Sequence, residues 1–311
     1  MNKTWPVQHW IKEIGRGARG ARDLDRLAAR DLFGALLDGE VDDLALGALL
    51  LGLRIKGESC AELLGFAEAL ALRTQTLQVP AGPRLVVLPS LNGARKLFNA
   101  MPLLALHLAA QGQPVLVHGR FDFGPERANT LALFEALGHA PCSSLSEAQA
   151  RLATQRLAVL PTALLCPGLD RLMALRTRMG VRNCGHTLAK LLDPAPGRSL
   201  RVIALTHGEF IDRIGQALPE LTVGGGAALL MQGCEGEAYP HPRRPAAWAA
   251  ALDGRPQPLP SSEADLDAAL QARAATQAEE VSALREALEQ GPAMWPRRWS
   301  EWVDEVRQLA K

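Results

Sequence analysis

The chain reads as an α/β protein: a small all-helical domain, then a larger α/β domain with a mostly parallel central sheet. Three observations lead there. Up to about residue 72, apolar residues recur at helical spacing behind capping residues. Pro80-Ala81-Gly82-Pro83 then interrupts the pattern. Beyond it, short apolar runs alternate with helical ones, the rhythm of β-α-β units. The expected division is 1–79 as a helical dimerisation domain, joined by about 167–195, and 80–166 with 196–311 as the α/β domain.

Asp25 is placed to cap a helix over 26–37 that Asp38-Gly39 ends. Asp42 caps the next, to about Arg54, and Ser59 with Glu62 forms a capping box for a third. Leu44, Leu46, Leu49, Leu50, Leu51 and Leu53 nearly encircle the second helix, which predicts burial by several neighbours or by a second subunit. Strands are expected at 85–88, 115–117, 157–160, 202–205 and 227–231, with helices at 100–110, 167–179 and 210–218. A helix at 186–192 is expected to return to the helical domain. Residues 242–262, rich in Pro, Arg and Ala, read as an irregular excursion. The tail is helical over 276–290 and 298–310, with Trp295, Trp299 and Trp302 as packing anchors.

At 311 residues and 48% apolar content the chain has a substantial core. No apolar run has the length of a membrane-spanning helix, and the N-terminal stretch has no apolar signal core, so a cytoplasmic address is expected. The five cysteines are scattered and never form CxxC, which reads as reduced thiols without a disulfide framework or zinc site. The seven histidines have no metal-ligand spacing. Gly15-Arg16-Gly17-Ala18-Arg19-Gly20 satisfies GxGxxG but follows no strand, so it reads as a flexible cationic segment rather than a dinucleotide loop.

Net charge is only +1, yet the charge is segregated. Lys12, Arg16, Arg19, Arg22, Arg26 and Arg30 crowd residues 12–30, and Arg171, Arg176, Arg178, Arg182 and Lys190 lie in a stretch, 171–192, that holds no acid. Segregation of this kind gives a neutral chain a positive face.

Several segments carry a resemblance to a known family. They include Ile11-Lys12-Glu13-Ile14-Gly15-Arg16-Gly17, Leu53-Arg54-Ile55-Lys56-Gly57-Glu58, Asn92-Gly93-Ala94-Arg95-Lys96, Met179-Gly180-Val181-Arg182-Asn183, His186-Thr187-Leu188-Ala189-Lys190-Leu191 and Glu235-Gly236-Glu237. Over about residues 8–240 the chain resembles the anthranilate phosphoribosyltransferase superfamily, whose fold is shared with the pyrimidine nucleoside phosphorylases. It resembles more closely a divergent bacterial branch, the YbiB-type DNA-binding proteins. The enzymes present a GTGGD loop to pyrophosphate through bare amides; the matching stretch is Pro89-Ser90-Leu91-Asn92-Gly93, one glycine where three are needed. Their KHGNR loop corresponds to Val117-His118-Gly119-Arg120-Phe121, without the lysine. Their magnesium-binding Asp-Glu pair is matched by Ala238-Tyr239, with Glu235 and Glu237 as nearby carboxylates.

Two functional readings follow, with a purely structural partner protein as a third. One is a non-catalytic homologue that binds DNA or RNA without sequence preference, as a homodimer, through Lys12, Arg16, Arg19, Arg22, Arg26, Arg171, Arg176, Arg178, Arg182 and Lys190. The other is a glycosyl- or phosphoribosyltransferase with divergent loops, its pocket formed by Asn92, Gly93, Arg95, Lys96, Asn99, His118 and Gly119. The first reading implies no cofactor and no metal.

Overall fold

Asp25, Asp42 and Ser59 each accept backbone N–H bonds at the head of a helix, and these local bonds frame the first part of the chain. The structure, a computed structural model, describes residues 5–17, 19–121, 124, 126–244, 248–259 and 263–311, except the side chain of Trp248. Two compact units form: Met1–Gln75 with Leu165–Leu192, and Thr76–Leu164 with Asp193–Lys311.

The helical unit contains α1 (Val7–Ile14), α2 (Arg26–Asp38), α3 (Asp43–Lys56) and α4 (Cys60–Ala71). Gly39, at φ 74°, ends α2 in the left-handed conformation that glycine adopts freely. Helices α2 and α4 cross at Gly65, where a Cβ would overlap the Arg26 carbonyl oxygen. Phe33 and Phe66 stack across that crossing with centroids 4.9 Å apart. The expected helix over 167–179 is two pieces, Pro167–Ala174 and Arg176–Met179, and that over 186–192 is one turn, Gly185–Leu188, followed by a 3-10 turn over Ala189–Leu191. Leu49, Leu50 and Leu53 of α3 are buried, but Leu44, Leu51 and Ile55 are 86%, 45% and 68% exposed. The apolar girdle therefore resolves into a buried face and an exposed stripe.

The α/β unit runs β1 (Leu85–Ser90), α5 (Met101–Ala110), β2 (Val115–Gly119), α6 (Thr130–Ala136), α7 (Leu145–Gln155), β3 (Leu157–Pro161), β4 (Ser199–Leu205), α8 (Gly208–Leu221) and β5 (Ala227–Cys234). It continues with β6 (Glu237–Pro240), β7 (Trp248–Leu252), β8 (Arg255–Gln257), α9 (Gln277–Gln290) and α10 (Arg297–Leu309). One eight-stranded sheet has the order β3-β2-β1-β4-β5-β7-β8, with β6 folded back on β5. The strands from β3 to β5 are parallel, which the apolar runs with helical crossovers predict. Residues 242–262 depart from expectation: β7 and β8 extend the sheet antiparallel, with Ala227 opposite Leu252. Residues 245–247 and 260–262 of that excursion, and Ala18 of the glycine-arginine segment, lie outside the described residues.

Parallel strands put the carboxyl ends of β1, β2, β4 and β5 along one edge, where ligands of open α/β sheets bind. The tail packs against α5 and β6 and ends beside the start of β1, where Arg84 N donates to Ala310 O at 2.7 Å. Trp295, Trp299 and Trp302 are 9%, 5% and 0% exposed, and the Trp299 indole donates to Pro240 O at 3.1 Å.

Candidate functional site

The segment after β1 holds the densest polar chemistry in the α/β unit. From Asn92 to Asn99 each backbone N–H has an acceptor supplied by the unit itself. Asn92 and Gly93 donate to Glu237 Oε1, both at 3.0 Å. Ala94 donates to Ala128 O at 3.2 Å. Arg95, Lys96 and Leu97 donate to Glu235 Oε2 at 2.8, 3.0 and 3.2 Å. Phe98 donates to Gln271 O at 2.9 Å and Asn99 to Glu280 Oε1 at 2.7 Å. An amide left unpaired in such a place is costly, so this full set of partners fixes the loop. One glycine where the enzymes have three does not reveal this. The amides still converge on anions, and the anions are three of the chain's own carboxylates.

Local geometry delivers them. Glu235 and Gly236, at φ 53° and 92°, form the two-residue turn between β5 and β6. A Cβ on Gly236 would run into Asn92 Nδ2, which donates to Glu235 O at 3.0 Å. Glu237, fully buried, also accepts from Ser90 Oγ and, at 3.2 Å, from Thr130 Oγ1. Thr130 Oγ1 in turn accepts from Asn99 Nδ2 at 2.9 Å. The Arg127 guanidinium ties the loop from the other side, donating to Asn92 O and Gly93 O at 3.3 and 3.1 Å. Burial pushes the Glu280 carboxyl above its usual range, against the lowering pull of the Asn99 and Ala274 amides.

The pocket expected from Asn92, Gly93, Arg95, Lys96, Asn99, His118 and Gly119 divides in the structure. Asn99 and His118 are 0% exposed and cannot reach a ligand. Asn99 lies just before α5, its Oδ1 accepting from Met101 N at 3.1 Å. Gly119 is wedged against Ser90 O, with no room for a Cβ. His118 Nδ1 lies 3.1 Å from Thr162 Oγ1, whose hydroxyl donates to Gly119 O at 3.2 Å. The imidazole therefore carries its proton on Nδ1, and Nε2 has no hydrogen-bond partner among the described residues. Burial pushes the His118 imidazole down to about 4, so it is neutral near pH 7 and offers a phosphate no charge. Arg95 and Lys96 face a different space, a cavity of about 470 Å³ that Arg127, Arg244, His241 and Glu235 also line. Sequence reasoning missed Arg127 and Arg244; the Glu235-Gly236-Glu237 turn was the available signal.

Two magnesium ions on a diphosphate would need free carboxylate oxygens. Those of Glu237 and Oε2 of Glu235 are committed to amides and hydroxyls, Oε1 of Glu235 shares only the Lys96 amide, at 3.2 Å, and position 238 is an alanine. These residues do not fit that metal pair. Among the described residues no group of three or more His, Cys, Asp or Glu stands placed to hold a metal.

The expected cationic residues all fall in the helical unit, which carries 15 Lys and Arg against 12 Asp and Glu; the α/β unit carries 19 against 21. The positive excess is thus in the helical unit, but much of it is paired. Arg16 and Arg22 lie 2.5 and 3.7 Å from Glu13, Arg26 lies 2.6 Å from Glu68, and Arg178 lies 3.1 Å from Asp43. Arg171 donates to Leu37 O at 2.7 Å, neutralising the negative end of α2. Lys190 departs from expectation: the 3-10 turn buries it to 9% exposure, so it leaves the surface set. Lys12, Arg19 and Arg176 have no acidic partner within 4.0 Å among the described residues. Around the glycine-arginine segment Arg22 N donates to Glu13 O at 2.9 Å and Ala21 N to Gly17 O at 2.9 Å. No described helix is long and apolar enough to cross a membrane.

Comparison with known proteins shows the family and the fold. Residues 8–73 match the glycosyl transferase family, helical bundle domain. YbiB of Escherichia coli (strain K12), described as uncharacterized, is 49% identical over 236 residues, 75% of this chain and 72% of YbiB. The anthranilate phosphoribosyltransferase of Methanopyrus kandleri is 30% identical over 73% of this chain and 65% of its own length. In fold, the chain is similar to anthranilate phosphoribosyltransferase from Thermus thermophilus, with a TM-score of 0.73 at 23% identity over 99% of this chain and 88% of that one. The Saccharomyces cerevisiae enzyme in complex with PRPP and Mg gives a TM-score of 0.70 at 14% identity over 98% and 93%. The chain therefore belongs to the anthranilate phosphoribosyltransferase-like family, alongside YbiB.

Proposed function

We propose that this family member is non-catalytic and that it binds DNA or RNA in the cytoplasm, as a homodimer, through phosphate contacts made by its helical unit. The observation that carries the reading is the amide inventory of residues 92–99. A phosphoribosyl donor is held by amides aimed at its phosphates. Here those amides are already bonded to Glu235, Glu237 and Glu280. The cationic excess of the helical unit supports the choice of partner, with Lys12, Arg19 and Arg176 among the cations that have no acidic partner among the described residues. Such contacts read the phosphate backbone and not the bases. The exposed Leu44, Leu51 and Ile55 stripe on α3 supports the dimer, since an apolar helix face left in water is unfavourable.

Fluorescence anisotropy with single-stranded and duplex oligonucleotides tests the partner. Affinity should fall steeply with salt, by about 0.9 in log–log slope for each duplex phosphate contact. Changing Lys12, Arg19 and Arg176 together to Glu should weaken binding at least tenfold and flatten that slope. Binding that ignores salt, or survives the triple change intact, removes the proposal. For the dimer, Leu51→Asp with Ile55→Asp should give a monomer by light scattering; a dimer that persists rules out this stripe. Turnover of phosphoribosyl pyrophosphate with an amine acceptor would instead establish the transferase reading.

A further inference from the structure

We propose that Glu235 is an internal anion that keeps diphosphate out of the loop, and that its removal opens a diphosphate site. The inference rests on the non-catalytic half of the reading above and not on nucleic-acid binding. Three observations carry it. First, the Glu235 carboxylate accepts three successive amides, those of Arg95, Lys96 and Leu97, at 2.8 to 3.2 Å. Consecutive N–H groups converging in this way form an anion-binding nest. Second, Glu235 holds φ 53°, in the left-handed region that two-residue hairpin turns fill with Asn, Asp or Gly. Backbone strain at a residue with a committed side chain marks a position kept for that side chain. Third, the adjoining cavity of about 470 Å³ is lined by Arg95, Lys96, Arg127 and Arg244, with Glu235 as its one carboxylate among the described residues.

The surroundings of this carboxylate thus have the composition of a phosphate site: backbone amides in front and four cationic side chains beside them. A diphosphate entering the cavity meets those cations, but the amides are taken and the Glu235 charge repels it. The paired magnesium ions that would offset that repulsion find one lightly held carboxylate oxygen here, Glu235 Oε1, where a pair of ions needs several. Glu235 therefore selects against the one ligand its surroundings would otherwise attract.

Glu235→Gly separates the side chain from the turn. Glycine adopts φ 53° without strain, and Gly-Gly is a favoured pair for this hairpin. The substitution frees three amides and removes the repelling charge. Isothermal titration calorimetry of the full chain with inorganic pyrophosphate, magnesium-free, reads the result. The wild-type protein should give no saturable binding up to roughly millimolar pyrophosphate, and Glu235→Gly should bind at least tenfold more tightly, about 1.4 kcal/mol. Adding Arg127→Gln should weaken that gained affinity.

Wild-type binding as tight as that of the variant overturns the proposal. So does a Glu235→Gly protein that melts cooperatively and binds nothing. If Glu235→Gly fails to fold, Glu235→Asn, which also tolerates a left-handed backbone, takes its place under the same two outcomes. The oligonucleotide titration run on the same proteins keeps the two claims apart. Pyrophosphate binding gained without any nucleic-acid binding sinks only the nucleic-acid reading; intact nucleic-acid binding with no gain sinks only this one.

Discussion

Glu237→Ala is expected to destabilise the α/β unit by about 3–5 kcal/mol, the range for removing one member of a buried charged hydrogen-bond group. Its carboxylate is fully buried and accepts from Asn92 N, Gly93 N, Ser90 Oγ and Thr130 Oγ1. Alanine leaves those donors facing a void, and each buried unsatisfied donor costs about 1–3 kcal/mol. Water entering the void recovers part of that, which keeps the total below the plain sum. Thermal unfolding should show a fall of roughly 10 °C, from about 2–4 °C per kcal/mol for a unit of this size. Glu237→Gln is the control. It keeps the shape and one acceptor oxygen on the amides of Asn92 and Gly93, while the two hydroxyls can rotate to accept from its NH2. Its cost should be about 1–2 kcal/mol. An alanine variant that loses less than about 1 kcal/mol would mean that Glu237 does not organise the loop.

What the sequence revealed was local. The caps Asp25, Asp42 and Ser59 set helix starts because each bond spans two or three residues. The strands β1 to β5 show as apolar runs because parallel strands are buried on both faces. Strand β7 was hidden because alanine-rich Trp248–Leu252 has little strand propensity, and only pairing with β5 makes it a strand. The site failed for a related reason. Glu235 and Glu237 meet the loop across 138 to 147 residues of chain, a pairing no spacing rule encodes. Asn99 and His118 were expected in the pocket, but burial makes them framework. The basic clusters were visible as composition, whereas pairing with Glu13, Glu68 and Asp43 and the burial of Lys190 depend on the folded helices.

His118→Leu is expected to make the protein more acid-resistant than the wild type. The buried imidazole titrates near 4, against about 6.5 in an unfolded chain. The folded pKa is depressed, so the unfolded state binds the extra proton between those two values. The contribution of the neutral ring is complete above about pH 6.5 and is lost as pH falls towards 4. At about 1.36 kcal/mol per unit, the full loss is about 3 kcal/mol. Leucine removes this titration without orphaning a donor, because Thr162 Oγ1 still donates to Gly119 O. It also removes the unpartnered Nε2 atom. Urea unfolding at pH 7.5 should therefore place the variant within about 1 kcal/mol of wild type, as expected when a poorly satisfied polar group becomes an apolar one. At pH 4.5 the variant should be the more stable by about 2–3 kcal/mol. Glu280 shifts the other way: its raised carboxyl favours the folded state as pH falls, but equally in both proteins, so the difference between them isolates His118. Parallel stability–pH curves for the two proteins would show that His118 is hydrated and charged in the folded state, and would reopen it as a phosphate ligand.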